Sequence, residues 1–165
     1  MHVEFIHTEI QLYNFIFDNK DDEILIYPIY ESNTRSIYDK NNICILLIYN
    51  INSKISYCIS YSHSECINIK YDISFLYKFK KNKLIVDNKK FRHVIKLENC
   101  YDLTSLCQII DNTLVQIQYT KAHEFIYNNT EIDNLNIYVP ISKHIEVFEK
   151  LIEDNEQILL KYTIF

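Results

Sequence analysis

Residues 43–51 read ICILLIYNI, and this stretch decides the architecture. The run is too short to cross a membrane and has the size of a buried strand, so it is read as a central strand of a sheet. Working outward, Asn52-Ser53 marks a turn, after which Ile55, Tyr57, Ile59 and Tyr61 alternate. Past His63 to Glu65 the alternation resumes as Ile67, Ile69, Tyr71, Ile73, Phe75, Tyr77 and Phe79, which predicts one long bent strand or two. Lys81-Asn82-Lys83 and Asp87 to Lys90 read as turns, and Phe91, His93, Ile95 and Leu97 alternate again. Upstream, Glu23 to Tyr30 reads as a strand that Pro28 places at an edge or makes bulge.

Helical periodicity takes over at both ends. Thr8 and Gln11 are spaced as a capping box, followed by Ile10, Tyr13, Ile16 and Phe17 over residues 9–18; a strand is the alternative there. Asp102 is a candidate N-cap before Leu103, Leu106, Cys107, Ile110, Leu114 and Ile117. A second short helical piece is expected over Ala122 to Tyr127, and a brief strand from Asn136 to Val139 ends at Pro140. Ser142 is read as the cap of a helix carrying Ile145, Phe148 and Ile152, and Gln157 to Phe165 as a closing strand. The expected fold is therefore α+β. It has a central, mostly antiparallel sheet from residues ~23–97 plus the C-terminal strand, with helices packed on one face. Residues 1–165 are read as one globular domain.

Composition excludes several chemistries. There is no Gly and no Trp, only Pro28 and Pro140, and a single Ala, Ala122. This bias towards residues with AT-rich codons points to an AT-rich genome. Without Gly there is no Gly-rich phosphate loop, no dinucleotide fingerprint, no GxSxG elbow and no EF-hand loop. Any backbone position with positive φ falls to Asn or Asp, the next most tolerant residues.

Five cysteines, Cys44, Cys58, Cys66, Cys100 and Cys107, show no CxxC pair. With no signal peptide and no membrane-length run, they are read as reduced thiols of a cytoplasmic protein with no membrane contact. His123-Glu124 opens like a zincin motif, but Tyr127 stands where the second ligand belongs. His144-Ile145-Glu146 opens like a deaminase motif that lacks its downstream cysteines. His63, Glu65 and Cys66 share a predicted turn near Cys58, where a Cys–His pair would require the fold to assemble it; Cys66 is the candidate reactive thiol. No catalytic residue, metal ligand or cofactor is assigned from these motifs.

Charge is distributed unevenly. Lys78, Lys80, Lys81, Lys83, Lys89, Lys90, Arg92 and Lys96 lie in one segment, opposed only by Asp87. They are eight of the 17 basic residues, leaving nine against 21 acidic residues elsewhere. If the flanking alternations are strands, Lys78 and Lys80, and likewise Arg92 and Lys96, point outward from a basic sheet face or hairpin tip. Such a patch suits polynucleotide phosphates or an acidic protein surface; an exposed, edge-blunting hairpin is the bland reading. Glu146, Glu149 and Glu153 form an opposite pole at near-helical spacing.

Charge polarity without a catalytic motif makes a non-catalytic protein-binding module the leading expectation. Inhibitors or antidotes of the immunity type and viral host-modulating proteins share this general character, with a protein as partner. The alternatives are a nucleic-acid- or ribosome-associated protein using residues 78–96, and a small enzyme with a site near His63 and Cys66.

Overall fold

The computed structural model describes residues 2–32, 42–110 and 136–164. Its centre is built around the apolar run at residues 43–51. Strands β2 (Ile24–Tyr30) and β3 (Ile43–Asn50) are buried along their whole length and pair antiparallel. Side chains alternate between two cores. Leu25, Tyr27 and Ile29 with Leu47 and Tyr49 pack into one; Ile24, Ile26 and Tyr30 with Leu46 and Ile48 pack into the other. Burial on both faces is why these strands read as continuous apolar runs.

The α+β class holds, with a six-stranded mixed sheet. β1 (Val3–Ile6) pairs parallel with β4 (Ser56–Ser60), and β4 pairs antiparallel with β3. On the other side β2 pairs parallel with β5 (Lys83–Ile85), and β5 pairs parallel with β6 (Cys100–Asp102), which forms an edge. Helices cover both faces, in place of the single face expected. Helix α1 (Glu9–Asn19) and the short α2 (Asn88–Phe91) pack against one core through Leu12, Phe15, Ile16 and Phe91. Helices α3 (Leu103–Ile110), α4 (Ile141–Asp154) and α5 (Glu156–Ile164) lie on the other, through Leu103, Phe148, Leu151 and Leu159.

Several local expectations need correction. The alternation over 67–79 is not a strand: Ile73–Lys78 is a 3-10 turn whose buried residues are Phe75 and Leu76, while Ile67 and Tyr77 are exposed. The alternation from Phe91 to Leu97 is α2 and the chain following it, with Phe91 and Ile95 buried on a helical spacing and His93 exposed. Residues 136–138 form a turn instead of a strand, Pro140 rather than Ser142 holds the cap position of α4, and the C-terminal strand is α5. The capping box of Thr8 and Gln11 is present, but the buried face of α1 is Leu12, Phe15, Ile16 and Asn19; Ile10, Tyr13 and Phe17 face solvent. The helix expected over Ala122 to Tyr127, with His123, Glu124, Leu114 and Ile117, lies outside the described residues.

Positive φ occurs at Asp87 and Asn99, as the missing glycines require, and also at Lys54. Pro28 sits inside a central strand, and the ladder explains how. Val86 donates its N–H to the Ile26 carbonyl, so residues 26 and 28 direct their backbone polar groups towards β5. The β2–β5 register ends at Ile26–Ile85. Pro28 thus lacks its N–H where β5 has already left the sheet, and the bulge at Ile29/Tyr30 follows immediately.

Candidate nucleic-acid interface

The two parallel strands at the β6 edge send their chains to opposite faces. β5 leads into α2 on one face, and β6 leads into α3 on the other. In a parallel α/β arrangement a crevice opens outside the carboxyl ends of strands that diverge in this way, and ligands bind there. A cavity of about 670 Å³ occupies that position, lined on the α2 side by Asp87, Asn88, Lys89 and Arg92. Tyr101, Asp102, Thr104 and Ser105 line the α3 side.

One carboxylate fixes both walls. Asp102 Oδ1 accepts the Asn88 N–H at 2.9 Å, and Oδ2 accepts the Ser105 N–H at 3.1 Å and its hydroxyl at 3.4 Å. It therefore caps α3 while holding the start of α2. Asp87 takes a left-handed conformation (φ 58°, ψ 59°), and its Oδ1 accepts the Lys90 N–H at 3.4 Å. Both acids are thus engaged with backbone donors. Lys89 and Arg92 are exposed, and the Asn88 side-chain oxygen is buried without a hydrogen-bond partner among the described residues. Such an orphaned acceptor is satisfied by a donor from a ligand or from water.

The basic segment does not form a sheet face. Lys89 and Arg92 line the crevice. Lys80, Lys83 and Lys96 line a smaller cavity of about 200 Å³ at the opposite end of β5. Lys83 is 2% exposed, and its ammonium donates to the carbonyls of Lys81 (3.0 Å) and Glu98 (2.9 Å). Burial holds its pKa below the ordinary lysine value. Lys90 lies over the Tyr30 ring at 4.1 Å, Lys78 is exposed beside the Tyr13 ring at 5.9 Å, and Lys81 is exposed. Glu146, Glu149 and Glu153 ride on the outer side of α4, which covers the sheet face opposite α2; Glu146 and Glu153 are exposed and Glu149 is half-buried.

The His63–Cys66 turn is structural. His63 is fully buried; its Nδ1 accepts the Glu65 N–H at 3.1 Å, leaving Nε2–H to donate to the Val139 carbonyl at 2.6 Å. Glu65 in turn accepts the Ile141 N–H at 3.1 Å at the start of α4. Burial pushes the Cys66 thiol up, so neither residue offers a free base or an activated nucleophile.

Sequence reasoning missed Asn88, Tyr101 and the linking role of Asp102, which it treated only as a helix cap. The available signal was that Asp87 and Asp102 each follow a short apolar stretch and precede a helix.

No helix among the described residues is long and apolar enough to cross a membrane. Among the described residues no three His, Cys, Asp or Glu side chains cluster in a way that could hold a metal ion.

No family model matches the sequence, and no curated protein does. Solved structures do share the fold. The chain is similar to Trypanosoma brucei RNase D in complex with GMP, at 11% identity and a TM-score of 0.63, covering 98% of this chain and 56% of that one. It is similar to Trypanosoma brucei RNase D in complex with RNA U12, at 11% identity and a TM-score of 0.55, covering 92% and 61%. A third is the catalytic core of RRP6 from Trypanosoma brucei, at 12% identity and a TM-score of 0.50, covering 96% and 49%. The chain thus spans roughly half to three-fifths of these structures. The likeness overturns the leading expectation of a non-catalytic inhibitor, immunity-type or viral host-modulating protein, because the fold is shared with nuclease structures.

Proposed function

We propose that this protein binds polynucleotide in the crevice between α2 and α3. The observation that carries the reading is the cavity at the carboxyl ends of β5 and β6, with Lys89 and Arg92 exposed on its wall. The two cations suit backbone phosphates, Arg92 by its planar fork and Lys89 as a point charge. The unpaired Asn88 oxygen suits an amino or hydroxyl donor of a base or sugar. The carboxylates of Asp87 and Asp102 accept from backbone donors, which leaves the cations to meet the ligand. The shared fold supports the same reading, since RNase D of that fold has been solved with GMP and with RNA.

Fluorescence anisotropy with a labelled oligonucleotide, RNA and DNA in separate titrations, tests this across a range of salt. The Lys89→Glu/Arg92→Glu variant should weaken binding at least tenfold. It should also flatten the log–log salt slope by about 1.4, for two lost single-strand phosphate contacts at ~0.7 each. Equal affinity and equal slope for the variant and the unmodified protein would refute the proposal. Lys83 has no place in that variant: a carboxylate there would be buried beside the carbonyls of Lys81 and Glu98.

A further inference from the structure

The smaller cavity at the other end of β5 is built differently from the crevice. Lys83 opens β5, and Asn99, at φ 56°, precedes β6. The Asn99 carbonyl accepts the Lys83 N–H at 2.8 Å, and its side-chain amide donates to the Lys80 carbonyl at 3.1 Å. The Lys83 side chain ties the same two segments through the carbonyls of Lys81 and Glu98. Its ammonium is therefore fixed in place, with two of its three donors committed. Lys80 and Lys96 stand exposed on the rim, and Glu98 is the one carboxylate among the residues lining the cavity. A buried, hydrogen-bonded cation with two exposed ones on the rim makes an electropositive recess with a fixed floor.

The crevice is lined along all of β6, from Cys100 to Asp102, and the recess by Glu98 and Asn99 just before it, so the two linings adjoin along the chain at the start of β6. β6 is the sheet edge, and Tyr101 at its midpoint is 48% exposed. An exposed ring beside a charged track is the arrangement on which bases of a single strand stack.

We propose that the recess of Lys80, Lys83 and Lys96 is a second phosphate-binding subsite, which takes the continuing backbone of the polynucleotide held in the crevice, with the strand running past Tyr101 along the open edge of β6. This rests on the reading of the crevice given above. The unfavourable burial of the Lys83 charge is consistent with it, since an anion in the recess would restore what burial removes.

The test uses the full chain, two double substitutions and one single substitution, all at exposed positions. Lys80→Gln/Lys96→Gln should weaken a labelled single-stranded oligonucleotide about tenfold and flatten the salt slope by about 1.4. Tyr101→Ala should weaken it without altering the slope. A duplex of the same length should bind the unmodified protein and Lys80→Gln/Lys96→Gln equally. If Lys80→Gln/Lys96→Gln binds the single strand normally while Lys89→Gln/Arg92→Gln does not, the subsite is refuted and the crevice stands. If the unmodified protein binds no oligonucleotide even at low salt, the crevice reading itself has failed. Inorganic phosphate, followed by amide resonances of residues 80–83 and 97–99, separates the two sources of the anion. Shifts with the oligonucleotide that vanish in Lys80→Gln/Lys96→Gln support the proposal, and shifts with free phosphate alone overturn it.

Discussion

Asp102 offers the sharpest separation of stability from binding. Its carboxylate accepts three hydrogen bonds that join α2 to α3 across the crevice. Asp102→Ala removes the cap of α3, at a cost of about 1 kcal/mol. It also leaves the Asn88 N–H without its acceptor, which costs about 1–2 kcal/mol more where the group is half-buried. The total is about 2–3 kcal/mol. For a chain of this size, at ~2–4 °C per kcal/mol, the melting temperature should fall by roughly 4–12 °C. Asp102→Asn keeps one acceptor: its oxygen can still cap α3, but its NH2 then faces the Asn88 N–H, so it should lose that bond alone, at a cost of about 1–2 kcal/mol. The substitution also removes a negative charge from the wall that carries Lys89 and Arg92, so polynucleotide affinity should rise about two- to fivefold at low salt. Differential scanning fluorimetry and anisotropy on the same samples give both numbers. Equal destabilisation by Asn and Ala would show that Asp102 does not hold the two helices as described. Weaker binding by Asp102→Asn would show that the carboxylate itself engages the ligand.

Three further outcomes follow from buried groups. Burial pushes the Cys44 thiol up to about 11 and the Cys58 thiol higher still, so at pH 8 iodoacetamide should leave both unmodified until denaturant is added; peptide mass spectrometry showing either labelled in the folded protein would contradict their burial. His63→Phe orphans the Val139 carbonyl and the Glu65 N–H, and should lower the urea-unfolding free energy by about 2–4 kcal/mol, whereas a change below ~0.5 kcal/mol would remove the clasp assigned to this side chain. Lys83 has its folded pKa lowered while the unfolded chain keeps the ordinary value near 10.5, so in that window the unfolded state binds the extra proton and stability rises with pH. The unmodified protein should therefore gain on Lys83→Met between the lowered pKa and about 10.5, measured by urea titration at several pH values, and a constant difference would argue that the ammonium is solvated.

The parts of this fold that were legible in sequence share a physical feature: the signal was local and had one cause. Thr8 and Gln11 satisfy each other's backbone within four residues, and ICILLIYNI can be buried only on both faces. The long alternation from Ile67 to Phe79 misled because a single tertiary choice decided it. Phe75, Leu76 and Phe79 enter the core on a helical spacing, and Tyr71 and Tyr77 stay at the surface. Periodicity in an Ile- and Tyr-rich chain records composition as well as structure. Ile10, Tyr13 and Phe17 show the same effect on α1, where they form an apolar stripe on the solvent side. The crevice was not legible, because its walls are set by which face each helix takes after a parallel strand. That choice depends on the pairing of β5 with β2 across more than fifty residues.

The basic segment gains its meaning from this topology. Read as strands, Lys78, Lys80, Arg92 and Lys96 would point outward from a sheet face or hairpin tip; folded, five of the eight cations line two separate cavities, with Lys83 withdrawn into the protein. Pro28 takes part in the division. By ending the β2–β5 ladder at Ile26 it lets the chain leave the sheet at Val86 and turn through Asp87 into α2. Asp102 then holds the separated helices at a fixed spacing. Restoring an N–H at residue 28 with Val would give β5 a partner one step further along, and a longer β5 would carry Asn88, Lys89 and Arg92 away from Tyr101. Pro28→Val should therefore leave the sheet core intact yet weaken polynucleotide binding at the crevice, an effect on geometry with no charge removed. The charge cluster supplies the attraction, and the termination of a short parallel strand determines where it acts.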